Sequence, residues 1–463
     1  MKITRTEKWK LRSTPQDRDV FLDTITLYQR YVRAVSSVCF THWKTIGVLN
    51  NNEVIKEVES LIHPTKNRPV VRYTYFHRVF YKFPSYLRRS AIMDAVGQVR
   101  SFLNRYDQWQ TSASRKNKHQ KPPRFGVSNT FPSLYQGQCI KYADDFSFAE
   151  IKVFDGGDWV WRRIYFKSNK ESKRLQEVMR NIYTLLDNPN MTKKEKEKLL
   201  SLKSPSLIIE GKKVMLSMPF YKKVELSQQK ADIVCSIDLG INTPITASIV
   251  RSDGTVLARI FINEGSDMDR LHKLLSMIQK ASKQTKKLKE GFCKTLYRRA
   301  FDIAQNPAHS LTRQLVDFAK AHGATTLVFE HMKGWRPKAP KKGLRQRFHT
   351  WLHRRIVKFS QWKWNELGGR MAFVSPKHTS KYAYDGSGVV TRSPSVNGVK
   401  QPYDICRFKN GKVYNTDLNA TYNIAAKYFL RNREVKQLDK AKDPCSKSRM
   451  PITLSLLWQQ AGA

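Results

Sequence analysis

Between residues 231 and 430 the chain alternates short apolar runs with longer amphipathic ones, and two of the short runs end on a carboxylate. Ile233-Val-Cys-Ser-Ile-Asp238 has the unbroken apolar character of a strand buried on both faces, and it stops at an acid just before Gly240. Ile245-Thr-Ala-Ser-Ile-Val250 is a second strand, Ser252-Asp-Gly-Thr255 a hairpin turn, and Val256 to Ile262 the third strand. Thr325-Thr-Leu-Val-Phe-Glu330 is a fourth strand that again ends on an acid, and Met371 to Val374 a short fifth. Helical spacing fills the intervals. Leu271, Leu274, Leu275 and Ile278 share one face, residues 343–366 read as a helix, and Asp417 to Leu430 reads as a helix with an acid at its start. No internal repeat is visible.

Strand, hairpin, strand, helix, strand, helix, strand, helix is the order of an RNase H-like α/β fold, and the positions of the acids sharpen it. In an open α/β sheet functional groups collect beyond one end of the strands. Asp238 and Glu330 end strands expected side by side, and Asp417 approaches from the helix packed on them. Three converging carboxylates repel one another unless cations lie between them. Hard oxygen ligands suit Mg²⁺ or Mn²⁺, and two such ions ~3.5–4 Å apart serve phosphodiester hydrolysis. Taken singly each acid has a plainer role: an Asp at a helix start usually caps it.

The remainder of the chain supplies charge. The 84 Lys and Arg against 38 Asp and Glu leave +46 over 463 residues, a self-repelling excess that calls for a polyanionic partner such as nucleic acid. The length exceeds the ~250–300 residues at which a single core stops growing, so several domains are expected. No run approaches the ~18 apolar residues of a membrane span, and Met1 to Lys8 lacks the apolar stretch of a signal peptide. The six cysteines form no CxxC pair, which points to a reduced, cytosolic setting without a disulfide framework. Ser13-Thr-Pro-Gln-Asp17 opens a helix, and a second starts near Pro84-Ser85. Residues 14–120 therefore read as helical. Residues 125–225 read as mostly β, with a lysine-rich helical interruption, and the strand at 1–12 is expected to return to that sheet.

Asp238-Leu-Gly-Ile-Asn242 with the strand that follows resembles the first RuvC motif of TnpB proteins, transposon-encoded RNA-guided DNA nucleases related to the type V CRISPR effectors. Leu327-Val-Phe-Glu-His-Met-Lys-Gly334 resembles the second motif, and Asn415-Thr-Asp-Leu-Asn-Ala-Thr-Tyr-Asn-Ile-Ala425 the third and most specific. His309 stands where the family often has a histidine, and Lys121-Pro-Pro-Arg-Phe125 resembles its junction after the helical insertion. The similarity is strong over 231–430 and weak before it. It implies a multidomain α/β protein with a RuvC nuclease domain at 231–375 and 415–431. A β-barrel-like, oligonucleotide-binding wedge would lie at 1–12 and 125–225, with a helical recognition domain at 14–120 inserted in it and a basic tail at 432–463. The implied activity is RNA-guided DNA cleavage with two Mg²⁺ or Mn²⁺ ions held by Asp238, Glu330 and Asp417. The implied partners are a guide RNA and duplex DNA carrying a short adjacent motif, in the cytoplasm of a bacterial or archaeal cell, as a monomer or a dimer per RNA.

The chain departs from the family at 376–414. TnpB proteins typically carry a zinc ribbon there, built from two CxxC pairs; the matching positions here are Ala383, Gly386, Cys406 and Lys409. One thiolate cannot make a closed four-ligand site, so no ordinary zinc ribbon is expected. The loop would be held by packing of Tyr382, Tyr384, Tyr403 and Phe408. Candidate nucleic-acid contacts fall in two basic-aromatic stretches. Lys333 to Lys363 holds eleven Lys and Arg and no acid, among them Lys333, Arg336, Arg345, Arg347, Arg354 and Arg355. The second stretch contains Tyr75, Arg78 and Lys82, where family members read the duplex beside the motif. Two other functions stay open: guide-directed DNA binding without cleavage, as a repressor, and an RNase H-like resolvase without RNA.

Overall fold

The computed structural model describes residues 1–111, 122–126, 130–167, 170–186, 190–192, 195–196, 199–227, 231–286, 288–289, 291–332, 352–392, 395–396, 399–400, 404–438 and 451–461. They divide into two compact units, residues 2–223 and residues 224–463 with Met1. No helix among the described residues is long and apolar enough to cross a membrane.

In the first unit β1 (Lys2–Lys10) pairs antiparallel with β7 (Lys213–Lys223), from Lys2 opposite Lys223 to Lys10 opposite Met215. The opening strand thus returns to the sheet as expected. β5 (Ser201–Leu202) and β6 (Ser206–Glu210) also pair with β7. α1 (Pro15–Thr41) starts with a reciprocal cap. Thr14 Oγ1 accepts from the Asp17 N–H (3.1 Å), the Asp17 carboxylate accepts from the Thr14 N–H (2.9 Å), and Pro15 opens the first turn. The helices α2 (Trp43–Ile46), α3 (Asn51–Ile62), α4 (Tyr75–Val79) and α5 (Ser85–Thr111) follow. A second antiparallel sheet is built from β2 (Ile140–Tyr142), β3 (Phe148–Asp155) and β4 (Asp158–Tyr165), and α6 (Lys170–Leu186) comes after it.

Two features refine the expectation for this half. The described strands form no closed barrel: β1 runs beside β7 along its whole length and reaches the other sheet only past its end, through a bridge from Leu11 to Phe166. Helices and sheets also share one core. Phe21, Tyr28 and Val32 of α1, Leu87 and Ala91 of α5, Ile151 of β3 and Leu216 of β7 are all buried in a single apolar cluster. The helical stretch therefore relies on the sheets for its buried surface.

The second unit is a five-stranded sheet in the order β10-β9-β8-β11-β12. β8 (Ile233–Asp238), β11 (Thr326–Glu330) and β12 (Arg370–Val374) are parallel. β9 (Ile245–Arg251) runs against β8, and β10 (Val256–Ile262) against β9. Successive residues of a strand face opposite sides, and both sides are covered. Cys235, Ile237, Leu327 and Phe329 pack with α7 (Gly265–Gln284), α8 (Lys294–Ala321) and α9 (His353–Glu366). Val234, Val250 and Val328 pack with Leu418, Tyr422 and Ala425 of α10 (Thr416–Leu438). Two-sided burial explains why these strands read as continuous apolar runs. β13 (Ser395–Val396) with β14 (Val399–Lys400), and β15 (Ile405–Arg407) with β16 (Val413–Asn415), form short hairpins before α10. Part of the stretch read as a basic tail packs on this unit: Leu454 and Leu457 are buried, and α11 (Ser455–Ala461) closes the described chain.

Candidate active site

Register and strand parity bring the three acids to one end of the sheet. The β8–β11 ladder aligns Val234 with Thr326 and Ile237 with Phe329, so its next step sets Asp238 beside Glu330. Ile237 and Phe329 belong to the α8 side; one residue on, both acids take the opposite parity, the side on which α10 lies. Asp417 enters from that helix. It is not the cap. Asn415 Oδ1 accepts from the N–H groups of Asp417 and Leu418, both at 3.0 Å, which leaves the Asp417 carboxylate free of that role. A Cβ placed on Gly240 would lie 3.7 Å from Asp417 Oδ2, so the third acid stands against the turn that follows Asp238.

Electrostatics describe the same convergence. Burial, then Glu330 and Asp417, hold the Asp238 carboxyl well above its ordinary range. Burial raises Glu330, with opposition from the Thr379 hydroxyl and Lys427. Burial raises Asp417, opposed by Arg392 and reinforced by Asp404. None of the three acids forms an ion pair among the described residues; Arg392 and Lys427 act only at longer range. The described acids converge without making a closed cluster of metal ligands. Their chemistry nonetheless fits divalent cations: hard oxygen donors, like charge, and burial that penalises each carboxylate until a cation offsets it.

A cleft of about 610 Å³ opens beside Glu330, between the strand ends and α9. Arg354, Lys358 and Gln361 line one side, and Ile237, Leu239 and Phe373 the apolar floor. The adjacent Arg355 goes elsewhere, its guanidinium stacked 4.9 Å from the Phe301 ring centroid. Lys333, Arg336, Arg345 and Arg347 lie outside the described residues. In the other unit Tyr75 is exposed on α4 and leans edge-on against Phe76 and Phe80, and Arg78 is exposed on the same short helix. Lys82 has a left-handed backbone (φ 55°) and its ammonium lies over the Tyr81 ring. His309 stacks on Phe359 at 4.1 Å, and its carbonyl accepts from Lys363 Nζ.

The structure adds residues that the sequence did not single out. Thr379 Oγ1 donates to Glu330 Oε1 at 2.6 Å. The loop carrying Thr379 is held by a stripe on α10 spaced four residues apart. Asn419 Nδ2 donates to the Tyr382 carbonyl, Asn423 Nδ2 to the Thr379 and Tyr382 carbonyls, and Lys427 Nζ to the Ser375 and Lys377 carbonyls. The Asn415-x₃-Asn419-x₃-Asn423 spacing was the available signal: three amides on one helical face, two of them buried.

The ribbon-like stretch is packed as an apolar knot. Ala383, Val390, Cys406 and Phe408 are buried together. Tyr384 sets its ring against Phe408, Tyr414, Tyr422 and Trp458, at 5.0–6.1 Å between centroids. Cys406 Sγ donates to the Tyr414 carbonyl, and burial raises its thiol. Tyr382 packs on His378, while Tyr403 lies outside the described residues. The C-terminal segment completes the knot: Ser455 N–H donates to the Tyr384 carbonyl, and Trp458 Nε1 to the Gly254 carbonyl.

Comparison with known proteins agrees with this architecture. A family model described as the Aq_aa04 family matches residues 5–155. A solved complex of Cas12f1 with sgRNA and target DNA superposes with a TM-score of 0.50 at 13% identity, over 88% of this chain and 81% of that one. This chain therefore shares its fold with that structure. A TnpB-like protein, ORF457 of Acidianus two-tailed virus, is 28% identical over 218 residues, and the match spans 44% of each protein, less than half of either. Over that part of its length the chain is similar to a TnpB-like protein, as the resemblance to the family implied.

Proposed function

We propose that this protein is an RNA-guided DNA endonuclease. It binds a guide RNA, recognises a short motif beside the target, and hydrolyses both DNA strands in turn at one RuvC-like site. The observation that carries this reading is the convergence of Asp238, Glu330 and Asp417, each half-buried, at one end of an RNase H-like sheet, with Glu330 lining a cleft that also holds Arg354 and Lys358. The three acids would hold two Mg²⁺ or Mn²⁺ ions. Bound there, such ions would activate a water and offset charge at the phosphate. The chain's own residues do the rest. Asn415 takes over the cap and leaves Asp417 unencumbered, Thr379 fixes one oxygen of Glu330, and Arg354 and Lys358 offer cations to a phosphodiester backbone in the cleft. Tyr75, Arg78 and Lys82 are assigned to the duplex near the motif, and other basic surface of the first unit to the guide.

Co-purified RNA is sequenced first, and the reconstituted complex is then tested on plasmid carrying its target. Cleavage in Mg²⁺ and none in EDTA is expected. Asp238→Ala should bind target with wild-type affinity and leave it intact. Double-strand cleavage by that variant overturns the assignment of the acids. Target binding by the wild type without cutting identifies a guide-directed repressor instead. A preparation with no discrete RNA that still cuts branched DNA identifies a resolvase.

A further inference from the structure

Glu330 ends β11 opposite Val374, and its carboxylate accepts a hydrogen bond from the loop at residue 379. What holds it is a relay that crosses the second unit. The Leu454 N–H donates to Asn423 Oδ1 (3.3 Å), Asn423 Nδ2 donates to the Thr379 carbonyl (2.9 Å), and the Thr379 hydroxyl donates to Glu330 Oε1 (2.6 Å). Each intermediate is enclosed: Asn423 is fully buried, and Thr379 is 3% exposed. The hydroxyl also lies 3.0 Å from the Pro376 carbonyl, so its single proton has one shorter and one longer acceptor. The loop position is fixed on both sides of Thr379, by Lys427 on the Ser375 and Lys377 carbonyls and by the Asn419 and Asn423 amides on the Tyr382 carbonyl.

We infer that Thr379 is a positioning residue for Glu330, and that Asn423 and the C-terminal segment at Leu454 set its place. This rests on the nuclease reading and deepens it. A carboxylate that binds a cation well must present one oxygen in a fixed direction, and an outer hydrogen bond to its other oxygen does that. Ala383, Gly386 and Lys409 stand at three of the four ribbon positions, so two CxxC pairs cannot organise the residues around 379. A buried amide on α10, braced by the backbone of residue 454, does the same work with hydrogen bonds alone. The relay also explains why an apolar C-terminal segment folds back onto the nuclease unit.

The test compares full-length wild type with Thr379→Val, which keeps the shape and removes the hydroxyl, and Thr379→Ser, which keeps the hydroxyl. Mn²⁺ binding is followed by the electron paramagnetic resonance of free Mn²⁺, independently of cleavage. Thr379→Val should weaken Mn²⁺ binding about 10-fold or more, the usual effect of deleting an outer-shell partner. Thr379→Ser should stay within about threefold of wild type. Melting curves in EDTA verify folding; if the Val variant melts early, the Ser variant alone decides, with tight binding supporting the role and loss of binding overturning it. Equal Mn²⁺ affinity of wild type and a folded Val variant overturns the positioning role and leaves the nuclease reading standing. A wild type that binds no Mn²⁺ overturns both.

Discussion

Asp417 Oδ2 and Gly240 are close neighbours: a Cβ on Gly240 would fall 3.7 Å from that oxygen and 2.6 Å from the carbonyl of Thr243. The first distance is ordinary contact, but the second is too short for any real Cβ. The Gly240 N–H also donates to that same carbonyl at 3.2 Å, so the turn is drawn tight where a side chain would push it open. Gly240→Ala should cost about 1–3 kcal/mol by overpacking and should displace the turn linking Asp238 to Asp417. Urea melts together with plasmid cleavage check this; unchanged stability and unchanged rate would falsify it.

The raised acids fix a pH dependence. Asp238, Glu330 and Asp417 all hold protons more tightly when folded than when unfolded, chiefly through burial. The folded state therefore gains most from them below the unfolded carboxylate pKa near ~4 and loses stability as pH rises toward the folded values. In EDTA, Asp238→Asn should melt higher than wild type at pH 7.5, and the gap should narrow as pH is lowered toward ~4. Saturating Mg²⁺ should reverse the order, because only the wild type retains all three carboxylates for the cation. A variant that melts below wild type in EDTA at pH 7.5 contradicts the electrostatic description.

The knot at 383–414 should be indifferent to chelators. Cys406 is 1% exposed, its thiol is raised by burial, and its neighbours are Ala383 and Phe408. Zinc measured on the purified protein should be well below stoichiometric. A zinc-selective chelator should leave the melting curve in place, while Trp458→Ala should lower stability by about 2 kcal/mol through lost packing. Stoichiometric zinc, or unfolding on chelation, would show that ligands outside the knot take part.

In the first unit the opposite sign applies at Asp17. Burial raises its carboxyl, but the Thr14 N–H and hydroxyl and the Arg162 guanidinium outweigh it and hold the group below its usual range. Its contribution is complete above an unfolded pKa of ~4 and is lost as pH falls below that. Asp17→Asn should cost about 1 kcal/mol at pH 7, in the range of a lost helix cap, and less at pH 3. Chemical denaturation at the two pH values is the measurement; an equal cost at both would assign the loss to packing.

How much could be read beforehand depended on where each residue's partner sits. That Asp238 and Glu330 would lie side by side was legible from two apolar strands that each end on an acid, though either acid taken singly had a plainer role. Asp417 was ambiguous as a possible cap, and only the structure hands that task to Asn415, two residues earlier. The bond from Thr379 to Glu330 was not legible, since the two lie 49 residues apart. Arg354 and Arg355 look alike in sequence, yet adjacent helical residues point about 100° apart, so one lines the cleft and the other covers Phe301. α11, of seven residues, is too short to show a periodicity, and its apolar side chains became meaningful only against Tyr384 and Gly254.

The three acids come from β8, β11 and α10, and the brace at Leu454 lies beyond them all. During synthesis, therefore, the ribosome releases Asp238 and Glu330 well before the helix that carries the third acid. A chain stopped short of Thr416 would have two carboxylates and no site, however well its strands had paired. The three acids thus come together only after nearly all of the second unit has been made and has folded.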